Sequence, residues 1–194
     1  AGLVHRVGRG RRGNARADGD LPRRVGPAAG LAPVAPDGLV DQFGASAGPL
    51  DGIRVLDLCD PKGQYMGRLL ASHGADVIKV EPLDGDPGRR IGPFVDDVAG
   101  VNRSLFWWYY NADKRSLAID LWQPDGATLV RRLAAQADVV LESFAPGTLA
   151  KLGLDYTTLS TAQPRLIMTS LTPFGQDGPR ANWAWSDAIG LALG

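Results

Sequence analysis

Cysteine occurs once, at Cys59, and histidine twice, at His5 and His73. A single thiol excludes a disulfide framework within the chain and fits a reducing compartment. Two histidines and one cysteine cannot form a four-ligand zinc site without carboxylates, and their spacing matches no metal motif, so no metal is expected. No apolar run approaches the roughly 18 residues of a membrane-spanning helix. No amino-terminal stretch has the basic, apolar, small-residue order of a signal peptide. The expectation is a soluble, cytoplasmic protein with no membrane partner. No Gly-x-Gly-x-x-Gly or phosphate-loop sequence follows the first strand, where the chain reads Cys59-Asp60-Pro61-Lys62-Gly63-Gln64. That argues against a nicotinamide-dependent dehydrogenase, because close approach to a pyrophosphate needs those glycines.

The 194 residues are 44% hydrophobic and 22% charged, ordinary for one globular domain with a real core. A net charge of zero hides an asymmetry. Residues 1–47 carry seven arginines against four aspartates, with nine glycines, four prolines and one aromatic, Phe43. Such a segment buries too little apolar surface to offset the entropy of ordering it, so 1–47 reads as a disordered leader or linker. A basic arm for nucleic acid is the competing reading. It has no aromatic interleaving or binding motif behind it, and no nucleic-acid partner is expected.

The ordered region, 48–194, alternates strands and helices. Ile53 to Leu58 is short, apolar and rich in branched residues, a buried strand. Met66, Leu69, Leu70 and Ala71 share one face of a helix over 63–73, which Gly74 closes as a C-cap, with His73 in a capping role beside it. Val77–Val80 is a second strand, so the chain opens with a βαβ unit. A Gly-, Pro- and Asp-rich loop over 82–101 leads to an aromatic run, Phe106 to Tyr110, suited to an acyl pocket or to the core. Leu117–Leu121 is a third strand. A helix begins at Pro124, where the missing N–H costs nothing. Strands at 139–141 and 166–168, a helix near 156–162 and a last helix from Asp187 to Leu193 complete the pattern. It predicts a Rossmann-like parallel sheet with helices on both faces. Ligands of such sheets bind at the carboxyl ends of the strands, and basic residues there suit a phosphorylated ligand.

Six segments carry a family resemblance. They are Pro49 to Asp57; Leu69 to Pro82, reading Leu-Leu-Ala-Ser-His-Gly-Ala-Asp-Val-Ile-Lys-Val-Glu-Pro; Asn111 to Asp120 with its Lys114-Arg115-Ser116; Ala137 to Gly147, reading Ala-Asp-Val-Val-Leu-Glu-Ser-Phe-Ala-Pro-Gly; Leu152 to Leu154 with Gln163-Pro164-Arg165; and Phe174 to Pro179. In that order, over 49–194, the chain resembles the amino-terminal portion of the family III CoA-transferases, the carnitine-CoA and formyl-CoA transferase group.

The resemblance implies an incomplete large domain that binds coenzyme A and forms an interlocked homodimer in the full-length protein. It implies transfer of CoA from an acyl-CoA donor to a carboxylic acid acceptor through an aspartyl covalent intermediate. The nucleophilic aspartate is expected beyond Gly194, which leaves this stretch inactive by itself. A non-catalytic CoA-binding paralogue or interaction module is the alternative. Carried over residue by residue, Ser143 and Phe144 match the segment lining the CoA pocket, and Lys151 matches a basic position that contacts CoA phosphate. Arg89 matches the arginine of a Gly-Asp-x-x-Arg segment, and Lys114 and Arg115 match the family's Lys-Arg pair. The chain departs from formyl-CoA transferase-like members at Lys62, Pro82 and Trp122. Asp187 matches a family aspartate that is not the nucleophile, and is expected to cap the last helix. Its neighbour is Ser186, which excludes the histidine acid/base chemistry of racemase members.

Overall fold

The computed structural model describes Val4–Arg6 and residues 48–193. The expected leader, apart from Val4–Arg6, therefore lies outside the described residues. Those three residues form β1, which pairs antiparallel with a later strand, Val4 opposite Leu117. Then come β2 (Arg54–Leu58), α1 (Gln64–Ser72), β3 (Asp76–Glu81), α2 (Leu105–Asn111) and β4 (Arg115–Ala118). The chain continues through α3 (Pro124–Ala134), β5 (Val139–Glu142), α4 (Thr148–Lys151), α5 (Tyr156–Ala162), β6 (Ile167–Ser170) and α6 (Asp187–Leu193). The sheet order is β1-β4-β3-β2-β5-β6, and β2 to β6 are mutually parallel.

Side-chain alternation along the strands sorts two cores. Leu56, Leu58, Val80 and Val140 face α3 and α5, packing with Val130, Ala134, Leu154 and Leu159. Val55, Cys59, Val77 and Leu141 face α1, packing with Ala71 and Ala75. Both faces of the sheet are thus covered, as in parallel sheets generally. The expected Rossmann-like sheet with helices on both faces is the observed fold.

Local chemistry sets the helix ends. Gly74 takes a positive φ of 102° and donates its N–H to the Ala71 carbonyl, the left-handed exit that glycine permits. His73 is the C-cap of α1, and its Nδ1 lies 2.7 Å from the Leu69 carbonyl. A carbonyl only accepts, so Nδ1 carries the proton. The last helix corrects an expectation. Its capping hydroxyl is that of Ser186, which accepts from the Ile189 N–H at 3.3 Å, and the helix proper begins at Asp187.

The aromatic run forms α2, a helix not foreseen because five consecutive aromatics show no apolar/polar period. Ser104 caps it, accepting from the Trp107 N–H at 3.0 Å. Trp107 goes into the core, whereas Trp108 and Tyr109 stay exposed. The third strand starts two residues before its expected position. Arg115 and Ser116 join it because Ile78 and Lys79 offer backbone partners there.

Candidate functional site

Strand order fixes where a ligand can enter. From β2 the chain steps outward to β3 and β4, then returns to place β5 and β6 on the other side. The loops leaving the carboxyl ends of β2 and β5 therefore part, which is where open parallel sheets take ligands. A cleft of about 420 Å³ opens at this edge, with Pro82, Leu121, Trp122 and Phe144 among its walls. Trp122 and Phe144 meet edge to face, centroids 6.4 Å apart and planes at 87°, a favoured aromatic geometry. Asp60, Asp84 and Asp120 supply acceptors in the same lining. Ser143 ties the parting loops together. Its Oγ accepts from the Asp60 N–H and donates to the Asp60 carboxylate, both at 2.8 Å. The Phe144 N–H donates to the Glu142 carboxylate at 2.7 Å.

Under the cleft lies a buried polar network on the α1 side of the sheet. Asp57 on β2 is fully buried and pairs with Lys114, Nζ to Oδ2 at 2.7 Å. Lys114 also donates to the Gln64 carbonyl at 2.7 Å and to the Asn111 side chain at 3.0 Å. Lys79 on β3 pairs with Asp86 at 3.1 Å and donates to the carbonyls of Cys59 and Val80. Gln64 donates to Asp86 at 2.7 Å and accepts from Asn111 at 3.0 Å. Glu81 accepts from both Arg89 (2.6 and 2.7 Å) and Ser116. Each charge is paired and further hydrogen-bonded, the condition for holding it out of water.

Environment shifts these groups apart. Burial would lower the pKa of Lys79, but Asp57 and Asp86 outweigh it and raise the pKa above the ordinary lysine value. For Lys114 burial wins over the attraction of Asp57 and lowers it. Burial pushes the Glu81 carboxyl up, yet the bonds from Arg89 and Ser116 prevail and hold it below the usual carboxylate range. The Cys59 thiol, buried and beside Asp57, is pushed well up, so it is an inert wall of the cleft rather than a nucleophile.

The six residues singled out in the sequence scatter. Ser143 and Phe144 stand at the cleft, as loop tie and wall. Lys151 ends α4 with an exposed side chain that has no partner among the described residues. Arg89 is spent on Glu81 and on Asn102 at 3.1 Å, with its guanidinium 4.0 Å from the Trp107 ring centre. Lys114 is 1% exposed with three acceptors on its ammonium; no N–H is left for a phosphate. Arg115 sits at the amino end of β4, bonded to Asp76 at 2.5 Å, at the opposite edge of the sheet from the cleft. Pro82 and Trp122, noted as departures, line the cleft with Phe144.

The sequence reading missed the network of Asp57, Gln64, Lys79, Glu81 and Asp86. Its signal was charge at alternate positions inside apolar strands: Asp57 in β2, Lys79 and Glu81 in β3. The expectation that no Gly-x-Ser-x-Gly sequence is present is wrong, for Gly44 to Gly48 is one. It is followed by β2 rather than by the helix that a nucleophile elbow needs, and residues 44–47 lie outside the described ones. Among the described residues no cluster of His, Cys, Asp or Glu could hold a metal ion, and no helix is long and apolar enough to cross a membrane.

Comparison with known proteins places this arrangement. Residues 50–194 match the family model for CoA-transferase family III. The chain is 49% identical over 145 residues to the succinate–glutarate CoA-transferase of Agrobacterium fabrum, covering 73% of this chain and 36% of that protein. It is 46% identical over 140 residues to the succinyl-CoA:(R)-benzylsuccinate CoA-transferase subunit BbsE of Thauera aromatica, covering 72% and 34%. The crystal structure of a CAIB/BAIF family protein from Brucella suis superposes with a TM-score of 0.70 at 41% identity, covering 76% of this chain and 39% of that one. The chain spans about a third of the length of these curated relatives. The match runs through the whole parallel sheet: this chain belongs to CoA-transferase family III.

Proposed function

We propose that the protein moves coenzyme A from an acyl-CoA donor to a carboxylic acid, and that this chain supplies the coenzyme A cleft. The aromatic-walled cleft over the carboxyl ends of β2, β3 and β4, with Phe144 reaching it from the loop after β5, carries the reading. A flat adenine fits between Pro82, Trp122 and Phe144, since stacking on aromatic faces accepts any base. Asp84 and Asp120 are acceptors for its amino group and the ribose hydroxyls. Lys151, exposed and unpartnered, is the cation for a CoA phosphate. Ser143 acts indirectly by holding the Asp60 loop. Arg89 and Lys114 act as positioning residues that hold the cleft floor. An aspartate supplied by sequence beyond Gly194 attacks the thioester, forming a mixed anhydride and releasing CoA thiolate. The whole protein works as a homodimer. Relatives named for succinyl-CoA or succinate make succinyl-CoA the proposed donor.

Calorimetric titration of CoA tests the cleft. The wild-type protein is expected to bind, and Phe144→Ala to bind about tenfold more weakly, the order of one lost aromatic stack. Absence of CoA binding would overturn the reading. Exchange of labelled succinate into succinyl-CoA by the whole protein tests the transfer.

A further inference from the structure

The walls of the coenzyme A cleft belong to separate loops. Asp60 lies in the loop after β2, Pro82 and Asp86 in the loop after β3, and Phe144 in the loop after β5. The strands beneath them are parallel neighbours, with Asp57 opposite Lys79 and Leu58 opposite Glu142. Past the last of these pairs the backbone ladder ends, and side chains set how far apart the loops stand.

Lys79 joins two of the loops from below. It is 1% exposed. Its ammonium bonds to the Cys59 carbonyl at the start of the loop after β2, to the Val80 carbonyl at 3.0 Å, and to the Asp86 carboxylate at 3.1 Å in the loop after β3. Three acceptors match its three N–H donors, so no donor is left for a ligand. Each loop partner is held in turn. Cys59 donates its N–H to the Asp57 carboxylate at 2.9 Å. The next residue, Asp60, exchanges bonds with Ser143, beside Phe144. Asp86 donates its N–H to Glu81 at 2.9 Å and accepts from the Gly88 N–H and the Gln64 amide, both at 2.7 Å.

We infer that Lys79 is a positioning residue: it fixes the width of the coenzyme A cleft by holding the loops after β2 and β3 to one ammonium. Lysine suits the task because its three donors sit on a single compact charge, so two loops and a strand meet at one point. Burial strengthens those bonds and makes an unpaired Asp86 costly. Methionine at this position would leave the Cys59 carbonyl and Asp86 without their shared donor, and the walls carrying Asp60 and Pro82 would relax apart. The assignment rests on the coenzyme A reading above, and it adds a residue that shapes the site without touching the ligand.

Thioester exchange by the whole protein gives KM and kcat for the CoA thioester, and calorimetry gives Kd for CoA. Lys79→Met is expected to raise KM and Kd about tenfold while kcat stays within about threefold of the wild type. A merely structural role would act differently: partial unfolding lowers kcat and the number of binding sites, at unchanged KM and Kd, because the sites that remain are native. Ser143→Ala supplies a second readout. If Lys79 acts through the Asp60–Ser143 tie, Lys79→Met raises KM less in the Ser143→Ala background than in the wild type. Asp86→Asn keeps the size and the bonds that Oδ1 accepts but removes the charge facing Lys79. It should raise KM several-fold, and it carries the test if Lys79→Met does not fold. Unchanged KM and Kd in these variants, or full additivity with Ser143→Ala, overturns the assignment, while CoA binding by the wild type leaves the transferase reading standing. Failure of the wild type to bind CoA overturns both together.

Discussion

Glu81 shows how individual charges are held beneath the cleft. Its two oxygens are shared among Arg89, Ser116 and the Asp86 N–H, so the ionised form is the one the fold prefers. Its folded pKa lies below its unfolded one. The unfolded chain therefore takes up the proton first as acid is added. The stabilisation is complete above the ordinary glutamate pKa of about 4.3 and is lost as pH falls through that value toward the folded pKa. The urea midpoint should fall between pH 6 and pH 3. Glu81→Gln should lower the midpoint at pH 6 and flatten the acid limb, measured by fluorescence. An unchanged acid limb in the variant would assign the acid sensitivity elsewhere. In the neighbouring pair, Asp57 with Lys114, removing one partner strands the other charge out of water.

At the scale of elements, α1 approaches β2 closely, and Gly67 makes that possible. A Cβ at Gly67 would overlap the Asp57 carboxylate and crowd the Lys114 ammonium. The glycine is thus a packing requirement of the buried pair, with nothing to do with turn geometry, for it stands inside the helix. Gly67→Ala should destabilise the fold by about 1–3 kcal/mol, the usual cost of overpacking a filled core, even though alanine is the better helix former. Chemical denaturation checks it, and an equal or raised midpoint would show that α1 can shift outward. Helix α2 is held from both sides in another way. Ser104 caps it, and the single proton of its hydroxyl is shared between the carbonyls of Gly88 and Ile91, at 3.0 and 2.5 Å. That fixes the Pro87–Arg90 turn which carries Arg89 against Trp107.

At the scale of the whole molecule, apolar surface is open among the described residues. Ile167 on edge strand β6 is 61% exposed, and Tyr65, Leu69, Trp108 and Tyr109 form an exposed group on α1 and α2. Open edges and apolar patches of this kind favour association. Sedimentation velocity on the 194-residue chain at micromolar concentration should show dimers or larger species, and a single monomer boundary would contradict this. The sequence by itself determined the parallel α/β sheet, four of its strand positions and the helices over 63–73, from Pro124 onward, near 156–162 and from Asp187 to Leu193. Apolar periodicity, proline at a helix start and glycine at a helix end are local signals, and local sterics act on them directly. It also marked Ser143 and Phe144 through their motif. Only the tertiary structure decided which charges are buried and with whom. Lys114 meets Asp57 across 57 positions of sequence, and Arg89 turns back to Glu81 rather than outward. A lysine or arginine looks the same in a sequence whether it faces a phosphate or a carboxylate; the partner that fixes its role arrives through the strand order and the packing of α1 and α2.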